Sequence, residues 1–167
     1  SLALALALKK KGKDAQVVIP DGLPDFLRWL PGIELSTTFA YKKEKAVGII
    51  ESADIIFCLD FNDPDRLNGI QEYLSESSAK KILIDHHEDP VEFADVTISE
   101  TWRGSVGEMI YQFLKEIFED EVLDNDIASC LYMAIMTYTG NFTYASSYPE
   151  LFHVVGDLMK YNLEKDQ

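Results

Sequence analysis

The chain has 167 residues, 47% of them hydrophobic, which suits a globular domain with a substantial core and not a disordered segment. Its 29 acidic and 15 basic residues give a formal net charge of -14, which argues against broad electrostatic binding to long nucleic acid but leaves room for a short phosphate substrate anchored by metal. The two cysteines, Cys58 and Cys130, fall in apolar segments; they read as inert core thiols, with no disulfide framework and a reducing cytoplasm as the expected compartment.

Ser1 to Leu8 alternates Leu and Ala and runs into Lys9-Lys10-Lys11. It is too short to span a membrane and has neither the basic leader nor the cleavage site of a signal peptide. The composition predicts a sheet-packing helix over 1–11 with a basic last turn, stopped by Gly12. A short strand follows over 16–19, closed by Pro20-Asp21-Gly22, then a short helix over 24–30 with Phe26 and Trp29 on one face. A helix is expected over 44–52 and a buried strand over 54–60. Residues 64–78 are polar, with Leu67, Ile70 and Leu74 at helical spacing. Strands near 81–85 and 95–99 come next.

The second half reads as helical. Ser105 to Phe118 carries a core stripe of Val106, Met109, Ile110, Phe113, Leu114 and Ile117. Asp124 to Thr137 is a more uniformly apolar helix, and 149–161 is a third, with Pro149 suited to its start. Strands alternating with helices imply a parallel sheet with right-handed crossovers. The expected fold class is therefore α/β, a parallel β-sheet flanked by helices, with a helical second half.

Two apolar runs end in groups that bind metals. Ile55-Ile56-Phe57-Cys58-Leu59 ends in Asp60, and Ile82-Leu83-Ile84 ends in Asp85-His86-His87. Ligands in α/β sheets bind beyond the carboxyl ends of the strands. Carboxylate and imidazole together suit a hard or borderline divalent ion. Asp60 also reads as a turn carboxylate, and Asp63 and Asp65 as turn and helix-start residues. Adjacent residues on an extended chain face opposite ways, so only one of His86 and His87 is expected to meet a given metal. His153, the remaining histidine, reads as a structural or surface residue. Ser105 reads as an N-cap, with Glu108 three residues later completing a capping box; the same helix start also suits a phosphate. Gly140 reads as the cap that ends the helix before it.

Asp85-His86-His87 after an apolar strand, Asp60 about one βα unit earlier, and Thr137-Tyr138-Thr139-Gly140-Asn141-Phe142 near the end resemble, in order and spacing, the motifs of the DHH phosphoesterases. The opening Ser1-Leu2-Ala3-Leu4 resembles the helix that follows that family's first motif, His-x-x-Pro-Asp-x-Asp-x-x-Gly-Ser. The branch it looks most like is the oligoribonuclease and 3′-phosphoadenosine-5′-phosphate phosphatase branch.

The resemblance implies a Rossmann-like catalytic domain over 1–167. The first motif and a smaller C-terminal substrate domain are expected outside this stretch, and the stretch alone is expected to be inactive. It implies two divalent ions, usually Mn, in the complete enzyme. Asp60 and His86 would be metal ligands and Asp60 and His87 catalytic. Asp85 would orient an imidazole through its other nitrogen, and His87 and Ser105 would contact substrate phosphate. Tyr138 stands where the family has a metal-binding Asp, a degenerate ligand position, because a phenol is normally protonated near pH 7. The implied substrate is a short oligonucleotide or nucleotide 3′-phosphate. No membrane partner is expected, and a homodimer is admitted. Two rival readings are a non-catalytic nucleotide-binding homologue, suggested by Tyr138, and an inorganic pyrophosphatase of the same superfamily.

Overall fold

The computed structural model describes residues 1–118, 120–143 and 149–163. Helix α1 (Leu2–Lys10) is followed by strands β1 (Val17–Ile19) and β2 (Ser36–Thr38), helix α2 (Lys43–Glu51), strand β3 (Ile55–Leu59), helix α3 (Gln71–Glu76), strands β4 (Lys80–Asp85) and β5 (Val96–Ser99), and helices α4 (Val106–Phe118), α5 (Asn125–Tyr138) and α6 (Pro149–Leu158). All strand pairings are parallel, and they form two groups: β1 with β2, and β3-β4-β5 with β4 in the centre. The α/β expectation with a helical second half holds.

The core explains the layering. In β4, Leu83 and Ile84 are fully buried on opposite faces. Ile84 joins the large cluster built from α1, α4, α5 and α6, while Leu83 packs with Cys58 and Leu74 on the other side. Burying such a side chain contributes roughly 1.5–3 kcal/mol, so both faces of this sheet need their cover. The Leu-Ala alternation of α1 has the same logic. Ala3, Leu4 and Ala7 face the large cluster, and Ala5 faces a second one with Ala15, Val17 and Leu35. A helix apolar on every side is a buried helix.

The ends of α1 and α5 share one device. Gly12, at φ 77°, donates its N–H to the Lys9 carbonyl, and Lys13 donates to Leu8. Gly140, at φ 56°, donates to Thr137, and Asn141 to Met136. Both are Schellman closures, in which a left-handed residue satisfies the last carbonyls of the helix.

Three expectations need correction. Residues 24–30 form only a 3-10 turn, Asp25–Leu27, with Phe26 59% exposed; Pro24 and Pro31 leave too little chain for a helix with a buried aromatic face. The predicted helix over 64–78 is split into a 3-10 turn, Pro64–Leu67, and α3, because Asn68 and Gly69 both take positive φ. Strand β2 was not anticipated, since Ser36-Thr37-Thr38 has no apolar alternation. Among the described residues no helix is long and apolar enough to cross a membrane.

Candidate metal centre

β3 and β4 are adjacent and parallel, so their carboxyl ends lie side by side. Asp60 follows β3 with φ 67°, a left-handed conformation that Asp tolerates better than most residues. Its amide donates to the Ile84 carbonyl at 3.2 Å, which fixes the turn to the end of β4. The loops beyond are tied by Asn62: its side-chain amide donates to the Glu88 carbonyl at 2.7 Å, and its own carbonyl accepts from the Val91 N–H at 2.9 Å.

Asp85, the last residue of β4, is completely buried. Its carboxylate accepts from the His87 backbone N–H at 3.0 Å and from His87 Nδ1 at 2.8 Å. His86 Nδ1 lies 2.9 Å from the Arg103 carbonyl. Because a carbonyl and a carboxylate only accept, both Nδ1 atoms carry the proton. In each neutral ring the lone pair is then on Nε2.

Asp60, His86 and His87 each bring one potential ligand atom within 4.8 Å of the others. The Asp60 carboxylate is 3.7 Å from His86 Nε2, and the two imidazoles meet edge to face at 5.0 Å. Only one histidine was expected to meet a given metal, but both rings reach the same carboxylate. β4 stops at Asp85, so the strand's alternation does not extend to His86 and His87, and both rings turn to the same side.

This donor set fits a divalent cation. A carboxylate and two imidazoles are suitable ligands, and each imidazole has its outer nitrogen anchored by an acceptor, the arrangement that orients histidine toward a metal. Burial raises the Asp60 pKa and the neighbouring His86 and His87 pull it down, with the rise prevailing.

Tyr138 is the last residue of α5, delivered by the Gly140 closure. Thr139 locks that closure: its hydroxyl donates to the Ile135 carbonyl at 2.8 Å and accepts from the Phe142 N–H at 3.0 Å. The Tyr138 hydroxyl lies 2.8 Å from His86 Nε2, with its ring edge-on to the imidazole at 4.9 Å. Burial and the carboxylates of Asp60 and Asp85 push its pKa up, so the phenol keeps its proton.

A cleft of about 500 Å³ opens beside the centre, its lining including Val17 and Ile19 of β1, Leu59, Asp60, Ser105 and Tyr138. Ser105 is buried and its hydroxyl accepts from the Gly107 N–H at 3.0 Å, capping α4 one residue short of the expected Glu108. His153 is exposed on α6 and does not belong to the Asp60 cluster. Burial pushes the thiols of Cys58 and Cys130 up to about 12, which suits the expected inert role.

Sequence reasoning missed two positioning groups, Asn62 and the Arg103 carbonyl. The guanidinium of Arg103 stacks over Trp102 at 4.1 Å and its Nε donates to Glu100 at 2.6 Å, which holds the carbonyl toward His86. An asparagine next to a turn signals only a turn, and a backbone carbonyl has no sequence signal.

Residues 1–135 match the DHH family, N-terminal domain. The bifunctional oligoribonuclease and PAP phosphatase NrnA of Thermus thermophilus is 27% identical over 164 residues, which is 98% of this chain and 46% of that protein. Its Bacillus subtilis counterpart is 27% identical over 129 residues, 77% of this chain and 40% of that protein. The crystal structure of an exopolyphosphatase-related protein from Bacteroides fragilis superposes with a TM-score of 0.95 at 33% identity, covering 99% of this chain and 49% of the other. The chain spans less than half the length of these curated relatives.

Proposed function

The chain belongs to the DHH family, as its N-terminal domain, and on that premise we propose that it is the metal-binding half of a hydrolase that cleaves phosphate esters of short oligonucleotides or nucleotides. The observation that carries the reading is the convergence of Asp60, His86 and His87 at the ends of two neighbouring parallel strands, with both imidazoles held by outer acceptors. A divalent ion held there, Mn by family resemblance, supplies Lewis-acid polarisation of the phosphate and a water acidified to act at neutral pH.

The chain's own residues divide the work. Asp60, His86 and His87 hold the ion. Asp85 fixes the His87 ring, and with it the direction of the Nε2 lone pair. Ser105 is the proposed phosphate contact, since it sits at the buried start of α4, where backbone N–H groups and the helix dipole favour an anion. The family's first motif, which the resemblance sets before Ser1, is proposed to enter as a further strand in the apolar cleft between β1 and β3, adding the ligands for a second ion. On this reading residues 1–167 alone hydrolyse little.

A second reading, binding without turnover, is favoured by the Tyr138 contact on His86. A substrate panel on the whole protein separates the readings. Release of mononucleotides from a dinucleotide, in the presence of Mn, supports the ester hydrolase. Dinucleotide binding without release supports the second reading. Cleavage confined to pyrophosphate or short polyphosphate would contradict the ester specificity.

A further inference from the structure

We propose that Tyr138 is an internal plug of the metal centre: its hydroxyl occupies the lone pair of His86 Nε2, and an ion binds His86 only after the phenol has swung away. The inference rests on the metal reading of Asp60, His86 and His87 and goes beyond it.

His86 Nδ1 faces the Arg103 carbonyl at 2.9 Å, so that nitrogen is the donor and Nε2 the acceptor in the neutral ring. The group facing Nε2 is the Tyr138 hydroxyl at 2.8 Å, which donates its proton there. A metal–imidazole bond is about 2.0–2.1 Å long and uses the same lone pair. An oxygen 2.8 Å out along that direction leaves no room for an ion between them. Ion and phenol are therefore alternatives at His86.

The two histidines are not equivalent in this respect. His87 has its Nδ1 on Asp85, and among the described residues no group is hydrogen-bonded to its Nε2. The Asp60–His87 side of the centre is open while the His86 side is closed. Tyr138 is 44% exposed and lines the cleft, so the phenol has open space beside it. Its ring is not locked into the core as Tyr111 and Leu131 are. An ion thus enters on Asp60 and His87 and recruits His86 at the expense of one hydrogen bond, which lowers the affinity by about 3- to 10-fold relative to an unplugged site.

The test compares the wild type with Tyr138→Phe, which keeps the ring and removes the hydroxyl. Free Mn²⁺ is followed by electron paramagnetic resonance during titration of each protein. The ¹⁵N resonance of His86 Nε2 is recorded in both before metal is added, and circular dichroism checks the fold. The expected result is Mn²⁺ binding about 3- to 10-fold tighter in Tyr138→Phe, with the His86 Nε2 resonance displaced in the metal-free protein. Equal Mn²⁺ affinity in the two proteins overturns the plug and leaves the metal centre standing. Weaker binding in Tyr138→Phe also overturns it, because the phenol is then a ligand. Absence of Mn²⁺ binding in both proteins removes the metal reading itself, and the plug with it.

Discussion

The Asp85 carboxylate closes a ring on His87, taking the backbone N–H at 3.0 Å and the Nδ1 proton at 2.8 Å while wholly shielded from water. One buried anion therefore fixes both where His87 sits and which nitrogen it offers. Asp85→Asn keeps the volume but removes the charge and one of the two acceptor directions. Outer partners of this kind are worth about 10- to 100-fold in metal affinity. Mn²⁺ affinity is expected to fall by that factor while the thermal transition stays cooperative. Unchanged affinity in Asp85→Asn would show that His87 is not a ligand.

Tyr138→Asp places a carboxylate where the resemblance to the DHH phosphoesterases leads one to expect a metal ligand. In the whole protein it is expected to tighten Mn²⁺ binding by more than Tyr138→Phe does, and to raise dinucleotide hydrolysis. The added carboxylate is proposed to act as a ligand, whereas the phenylalanine only vacates the site. Steady-state rates at saturating Mn²⁺ check this. A loss of activity with the fold intact would give the tyrosine a part of its own in the reaction.

Much of this site was legible in the sequence because its markers are abrupt. β3 and β4 are apolar runs cut off by Asp60 and by Asp85-His86-His87, and a break of that kind locates the carboxyl end of a strand. The Gly140 closure was legible for a similar reason, since a glycine after an apolar helix has one common use. The convergence of both imidazoles was not legible. It depends on β4 ending one residue before His86, and strand ends are set by neighbouring strands. Nor was the Arg103 carbonyl, a backbone group 17 residues away in sequence. β2 escaped because its three polar residues pair with β1 through the main chain alone.

The start of α5 is a stability test independent of the site. Asp124 caps it by accepting from the Ile127 N–H at 3.0 Å and pairs with Lys10 of α1 at 2.9 Å. Burial pushes this carboxyl up, but the Ile127 amide and Lys10 outweigh it, so the folded-state pKa lies below the usual value. A carboxyl depressed in the folded state stabilises above its unfolded pKa, and the contribution is lost as pH falls through the folded value. Asp124→Ala is expected to cost about 1 kcal/mol at pH 7. In urea titrations the gap between wild type and Asp124→Ala should narrow steadily below about pH 4. A gap constant down to pH 2 would contradict the assignment.

Two helical glycines are expected to respond oppositely to the same change. A Cβ on Gly107 would meet Ile135 Cγ1 at 3.1 Å, Ser105 Oγ at 3.1 Å and Ala134 Cβ at 3.2 Å, whereas a Cβ on Gly48 meets nothing within 4 Å. Gly48→Ala should stabilise by up to about 1 kcal/mol through helix propensity. Gly107→Ala should destabilise by roughly 1 kcal/mol, because overpacking between α4 and α5 exceeds the same propensity gain. Chemical denaturation of both variants decides it, and stabilisation by Gly107→Ala would mean that α4 and α5 are less closely seated than described.

Asp60, His86 and His87 are proposed to hold one divalent ion, and the chain provides its own control. It has three histidines, of which His153 lies outside the cluster. Substoichiometric Mn²⁺ added to the ¹³C,¹⁵N-labelled protein broadens imidazole resonances steeply with proximity to the ion. The ring signals of His86 and His87 are expected to vanish first, His153 to stay sharp, and Asp60→Asn to abolish the selectivity. Uniform broadening of all three rings, or loss of His153 before the other two, would contradict that site.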